Sequence, residues 1–216
     1  MLPAITLLAT VTLWGPPLLS PLAFFRVRRV AIEGARYTAP RDILAQLRVD
    51  TTGSVWAPLK PLEERVAQLP EVRSVVIRRK LPGTLVVTIT ERVPVALVPT
   101  PQGFRAYDES GLPLPIDPSR ATVDAPILAR RDTTVLRFLG ELRRGAPELY
   151  QRVSDVRRED DELLLSLSTF LVRAMADVSV RRLDDLGPVE QDLLRRRLKV
   201  AEVDFRYRDQ VIARLK

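Results

Sequence analysis

The sequence predicts an α+β protein with three parts: an N-terminal membrane segment, a small βααββ unit, and a mixed β-rich domain with helices on one face. Three observations carry that reading. Residues 1–25 contain no charged side chain. Residues 26–93 show two helical stripes enclosed by strand-like runs rich in Val and Ile, and residues 94–216 show short β-rich runs broken by Pro, Gly and acidic turns. A chain of 216 residues is long enough to give each of the latter two parts a core.

The first segment, MLPAITLLATVTLWGPPLLSPLAFF, is mostly apolar. As a helix it would extend about 37 Å at ~1.5 Å per residue, enough for a bilayer core of about 30 Å. Pro16, Pro17 and Pro21 each remove an amide donor, so the span would be kinked, with Trp14, Phe24 and Phe25 at an interface. A membrane anchor is the expectation. A cleaved signal peptide is the rival, although the segment has no basic start and no small-x-small cleavage site. A buried helix is disfavoured because no amphipathic face is visible.

In the second part, Val27–Glu33 reads as a strand and Gly34 as the turn after it. Thr38 is placed to cap a helix begun by Pro40, with Ile43, Leu44 and Leu47 on one stripe up to about Arg48. A second helix starts near Pro61, with Leu62, Val66 and Leu69 on one side, and ends at Pro70. Strands follow over Val72–Lys80 and Thr84–Arg92, joined by Leu81-Pro82-Gly83. In the last strand Leu85, Val87 and Ile89 alternate with Val86, Thr88 and Thr90, giving one core face. The order strand, helix, helix, strand, strand implies two helices covering one side of a three-stranded sheet.

In the third part, Pro94, Pro99 and Pro101 make VALV an edge strand or connector. Phe104–Tyr107 reads as a strand entering an Asp108–Gly111 turn, and 112–126 as irregular. Val135, Leu136, Leu139 and Leu142 mark a helix over Thr133–Arg144. Val153–Arg158 and Leu163–Ser168 form a hairpin about the acidic run Glu159–Glu162. Those four carboxylates are consecutive and diverge, so a solvated turn is the better reading than a cation site. A helix over Val189–Leu198 precedes a terminal hairpin, Val200–Tyr207 and Val211–Leu215.

Composition bounds the function. With no His and no Cys there is no imidazole or thiolate metal site, no Cys nucleophile, no disulfide and no His general base. No cofactor is expected, and an interaction protein is favoured over an enzyme. Residues 26–93 hold 13 basic and 7 acidic groups, whereas 94–216 hold 21 and 20, so the positive excess lies beside the uncharged segment. That field suits an anionic bilayer or an acidic partner. Nucleic acid is disfavoured because the basic groups are interleaved with Val and Ile rather than with aromatics that could stack on bases.

The stretch LPEVRSVVIRRKLPGTLVVTITERVPVA resembles the second half of a POTRA domain of the FtsQ/DivIB cell-division family. FRVRRVAIEGARYTAPRDI is similar to that family's first strand, Gly turn and helix start; VDFRYRDQVIARL and Asp108–Gly111 are similar to parts of its β domain. Leu81 stands where the family commonly has an aromatic residue. The resemblance implies a membrane segment over 1–25, a POTRA domain over 26–93 and a β domain over 94–216. It implies a non-enzymatic divisome scaffold in the cell inner membrane, single-pass, with its C-terminal domains outside the cytoplasm at the division septum. The implied partners are FtsB and FtsL, with FtsK and septal peptidoglycan synthesis proteins as further candidates. Because the family usually carries a basic cytoplasmic tail before the membrane helix, either the natural start lies upstream of Met1 or other signals set the topology.

By the same resemblance FtsB docks on the terminal strand, and the matching positions are Arg206, Tyr207, Asp209 and Leu215. Arg206 is expected to meet an acidic group, Tyr207 and Leu215 to bury apolar surface, and backbone pairing to fix register. Packing offers blander roles. Tyr207 could turn inward by its alternation with Phe205, Arg206 could be a solvated strand residue, and Leu215 could fray beside Lys216. Two other functional classes are an outer-membrane assembly or secretion factor, which would need tandem POTRA units or a barrel, and a carboxylate wall hydrolase, for which no converging acid pair is visible.

Overall fold

The computed structural model describes residues 23–50, 52–116, 123–207 and 210–216. The segment expected to enter the membrane lies outside these residues except for Ala23–Phe25, a single 3-10 turn. Among the described residues no helix is long and apolar enough to cross a membrane. The chain separates into two compact units at Arg92/Val93.

The first unit contains β1 (Arg29–Glu33), α1 (Pro40–Leu47), α2 (Lys60–Val66), β2 (Val72–Lys80) and β3 (Thr84–Glu91). The sheet order is β1-β3-β2, with β1 parallel and β2 antiparallel to the central β3. Leu85, Val87 and Ile89 are buried on one face of β3 against Ile43 and Leu47 of α1 and Val66 of α2, which is why that strand alternates. β1 starts two residues later than expected. The amide of Val27 is given to Gly53 and those of Arg28 and Arg29 to Gly83, so the chain reaches ladder geometry only at Arg29.

Thr38 does not cap α1. Ala39 occupies the N-cap without a side-chain bond, and the Thr38 hydroxyl is buried without a partner. The loop is held instead by the Glu91 carboxylate, which accepts the amides of Arg36 (2.9 Å), Tyr37 (2.8 Å) and Thr38 (2.7 Å). Gly34 sits in the same loop at φ 82°, where a Cβ would lie 2.2 Å from the Ile89 carbonyl oxygen; both the sign of φ and the space require glycine.

The second unit contains β4 (Ala96–Thr100), β5 (Gly103–Tyr107), β6 (Pro113–Leu114), β7 (Ile127–Leu128), α3 (Thr133–Gly145), α4 (Pro147–Arg152), β8 (Val153–Glu159), β9 (Glu162–Leu167), β10 (Leu171–Met175), α5 (Val180–Leu183), α6 (Leu186–Arg195), β11 (Val200–Asp204) and β12 (Ile212–Leu215). Its strands form one mixed sheet, ordered β12-β11-β10-β9-β8-β7-β4-β5-β6. Val156, Leu163, Leu165, Val172 and Val203 share one core with Leu136, Leu139 and Leu142 of α3 and Leu183 and Leu186 of α5 and α6. Asp132 caps α3 by accepting the amides of Thr134 and Val135.

Four expectations need correction. VALV is neither an edge nor a connector: β4 lies inside the sheet, antiparallel to β5 and parallel to β7. Pro99 is tolerated because β7 pairs only at Leu97↔Ile127, so no ladder bond from residue 99 is required on that side. The stretch 112–126 and its border supply two-residue strands, β6 and β7, too short to leave a period. α4, β10 and α5 were not foreseen, and the last helix runs Leu186–Arg195 rather than Val189–Leu198.

Candidate partner-binding edge

The last strand, β12, is the end of the nine-stranded sheet and pairs on one side with β11 through Glu202↔Arg214, Val203↔Ala213 and Asp204↔Ile212. Ala213 packs against the core, while Ile212 is 40% and Leu215 53% exposed. An antiparallel ladder points half of a strand's backbone groups away from its neighbour, so the outer side of β12 offers donors and acceptors for another strand. Immediately before the turn, Phe205 is buried and Tyr207 is 45% exposed, so the tyrosine does not turn inward. Asp209 lies outside the described residues.

Arg206 meets acidic groups of its own chain. Its guanidinium donates through Nε and Nη2 to Asp204 (3.0 and 2.6 Å) and through Nη1 to Glu162 (2.7 Å), while its amide donates to Asp204 (3.0 Å). Glu162 also accepts from Arg173 (2.7 Å), Arg173 donates to Glu202 (2.9 Å), and Arg214 on β12 stands 3.9 Å from Glu202. Register explains the convergence. Arg173 faces Leu164 on β9 and Asp204 on β11, and Glu202 faces Arg214, so these side chains project from the face opposite the core. The acidic run is therefore split: Glu159, Asp160 and Asp161 are exposed, but Glu162 enters this lattice.

The electrostatics follow from these contacts. Hydrogen bonds from Arg206, then Arg173, hold the Glu162 carboxyl below the ordinary carboxylate range. Arg206 does the same to Asp204 against the opposing effect of burial. Bonds to Asp204 and Glu162 raise Arg206, and bonds to Glu162 and Glu202 raise Arg173. All four groups are ionised at neutral pH.

Arg182 on α5 was not singled out in the sequence. It donates to the carbonyls of Tyr207 (3.2 Å) and Gln210 (3.3 Å) on either side of the β11–β12 turn, pairs with Asp185, and lies 5.5 Å over the Phe205 ring. The guanidinium of Arg206 in turn lies 5.9 Å from the Tyr207 ring. Arg173, Glu162 and Glu202 carry no local motif, because their partners here are 11 to 44 residues away in sequence, and the contacts of Arg182 with the turn span 25 and 28 residues. Among the described residues no group of three or more acidic side chains is arranged to hold a metal ion.

The first unit is a three-stranded sheet with two helices on one face, and residues 25–92 match the POTRA domain family of the FtsQ type; the second is built on a mixed sheet. The chain is similar to the cell division protein FtsQ of Salinibacter ruber, 36% identical over 107 residues, covering 47% of this chain and 40% of that protein. It is similar to FtsQ of Rhizobium meliloti, 28% identical over 200 residues, covering 89% of this chain and 64% of the relative. DivIB of Clostridium acetobutylicum is 22% identical over 152 residues, 67% of this chain and 59% of that one. The major extracytoplasmic domain of DivIB from Geobacillus stearothermophilus aligns with 49% of this chain and 97% of its own at 19% identity and TM-score 0.37. The chain resembles the FtsQ/DivIB cell-division proteins: its residues 25–92 match their POTRA domain model, and FtsQ and DivIB proteins are the curated relatives named above. It spans less than two thirds of the length of these curated relatives.

Proposed function

We propose that the protein is a non-enzymatic divisome scaffold, organised as a membrane segment over 1–25, a POTRA domain over 26–93 and a β domain over 94–216, and held in the cell inner membrane at the septum with its two domains outside the cytoplasm. It binds FtsB, and with it FtsL, and so helps control septal peptidoglycan synthesis. The observation that supports this most is the terminal edge: a strand with an open side, flanked by exposed Tyr207, Ile212 and Leu215 and backed by an ion-pair lattice. An extended partner segment adds to β12 by backbone pairing, with Tyr207 and Leu215 burying apolar surface. Arg206 acts as a positioning residue, because all three of its guanidinium nitrogens donate to Asp204 or Glu162 of its own chain. A role in outer-membrane assembly is not favoured, since the relatives are cell-division proteins.

The test is the affinity of the full chain in detergent for a peptide or soluble domain of FtsB. Tyr207→Ala is expected to weaken binding about tenfold or more, the ordinary cost of truncating an interface aromatic of about 2 kcal/mol. Leu215→Glu places a charge on the same edge and is expected to abolish binding with an unchanged circular dichroism spectrum. Folded variants that bind as well as the parent would remove this interface.

A further inference from the structure

One end of the POTRA sheet combines exposed apolar and basic side chains. Phe24 is 58% and Leu81 53% exposed, although both belong to a unit whose other large apolar groups are mostly interior. They are brought to the same end because the amides of Arg28 and Arg29 donate to the Gly83 carbonyl (2.8 and 3.2 Å), which ties the chain after Phe24 to the Leu81-Pro82-Gly83 turn. A Cβ on Gly83 would lie 2.3 Å from the Arg26 carbonyl oxygen, so the approach itself requires glycine. Arg28 lies over the Phe24 ring at 5.9 Å, and Arg29 and Lys80 flank Thr84 in one row across the face without helices.

On the strands and the turn that form this end, the charge is of one sign. No acidic residue occurs between Ala23 and Ile32 or between Val72 and Thr90. The neighbouring loop contributes Asp50, whose carboxylate is engaged by the amide and hydroxyl of Thr52 (2.8 and 2.6 Å) and is held below the ordinary range by them. Residues 1–22, which lead directly into Ala23, are uncharged and largely apolar.

We infer that this end of the POTRA domain is a second membrane contact: it rests on an anionic phospholipid surface, with Phe24 and Leu81 entering the headgroup layer and Arg26, Arg28, Arg29 and Lys80 meeting the phosphates. The occupant follows from the combination. Exposed aromatic and aliphatic tips among basic groups match an interface that is apolar beneath and negative above, and an apolar segment beginning two residues from Phe24 delivers this end to a bilayer. The inference rests on residues 1–25 being a membrane segment, and it fixes how the domain is oriented above the anchor rather than whether the anchor exists.

The absence of cysteine allows a direct test. Leu81→Cys or Ser74→Cys is labelled with an environment-sensitive nitrobenzoxadiazole dye in the full chain and reconstituted into phosphatidylcholine vesicles with or without phosphatidylglycerol. Position 74 is exposed and about 20 Å along β2 from this end at ~3.3 Å per residue. The dye at 81 is expected to be blue-shifted and quenched by a headgroup-quencher lipid only with phosphatidylglycerol, reversibly with salt; the dye at 74 is expected to stay aqueous. Arg29→Gln and Lys80→Gln should each lower the docked-to-undocked ratio about fivefold, corresponding to ~1 kcal/mol per basic residue near such a surface. Equal, aqueous signals at both positions in a chain that floats with the vesicles would overturn this contact and leave the anchor standing, whereas a chain that does not float would overturn both. Burial of position 81 in lipid-free detergent that rises with protein concentration would assign the patch to a second copy and overturn the lipid reading.

Discussion

In the POTRA sheet, the face turned away from α1 and α2 presents Arg29, Thr84 and Lys80 in one row and Glu33, Thr88 and Val76 in another, whereas the open face at the β12 end of the larger sheet presents Glu162, Arg173, Glu202, Asp204 and Arg214. On the first face the charges segregate, with the basic row at the end nearest Phe24. On the second they alternate from strand to strand and bind one another. The difference teaches that an uncovered sheet face has two uses. A segregated face keeps its charge for something outside the molecule. An alternating one spends its charge on holding the neighbouring strands, and here the strands held are those that present the open edge.

The largest expected effect comes from the cores. The POTRA core holds ten buried apolar residues and the second core twenty-three among the described residues, so an equal truncation removes a larger share of the smaller one. Leu85→Ala and Leu165→Ala each delete a fully buried side chain and are expected to cost about 2–5 kcal/mol. Hydrogen exchange should show Leu85→Ala opening β1–β3 almost completely, while Leu165→Ala raises exchange in β8–β10 without abolishing protection. Equal residual protection in both would show that core size does not set the margin.

Two carboxylates sharpen the comparison at smaller cost. Glu91 accepts three loop amides, including that of buried Thr38, and Glu162 accepts from two guanidinium groups on a half-open face. Removing Glu91 leaves the amide of buried Thr38 without its acceptor, so Glu91→Ala is expected to cost about 1–3 kcal/mol and to expose 34–39 to exchange. Removing Glu162 leaves two guanidinium groups that water can solvate, so Glu162→Gln is expected to lower the melting temperature less than Glu91→Ala. The reverse order would mean that the lattice, not the loop clasp, is the stronger of the two.

How much could be read in advance follows the same division. The POTRA elements were legible because their signals are local: Pro40 at a helix start, the Leu85-Val87-Ile89 alternation, and a Pro-Gly turn between two Val-rich runs. What failed there was a competition between neighbours. Thr38 has the right chemistry for a cap but stands one residue before the N-cap, which Ala39 occupies, while Glu91, 53 residues later, sets the loop by accepting the Thr38 amide. In the second unit β6 and β7 are two residues each and exist only as partners of other strands, and β10 was passed over because its role as bridge between β9 and β11 is a property of the sheet. At the candidate edge Tyr207 and Leu215, two of the positions that the resemblance implies, are exposed. The acidic partner of Arg206 proved to be internal, because Glu162 looks like part of a solvated turn until β9 and β11 are set one strand apart.

The lattice also makes the two units differ in acid, and this is the smallest effect expected. Glu162 and Asp204 both have folded-state values depressed by Arg206. A depressed carboxylate binds its proton more weakly in the folded than in the unfolded chain. The stability it supplies is therefore complete above the unfolded value, near pH 4, and is lost progressively as pH falls through the lower folded value. Arg206→Gln removes the main cause for both groups at once. The melting temperature of the parent should exceed that of Arg206→Gln at pH 7, and the gap should begin to close below about pH 4 and vanish when both carboxylates are protonated. Amide exchange over 200–207 and 212–215 should rise along the same curve while the β1–β3 amides respond less. A gap between parent and variant that is unchanged down to the acid transition would mean that Arg206 holds the edge by packing rather than by charge, and the distinction between the two faces would then rest on shape alone.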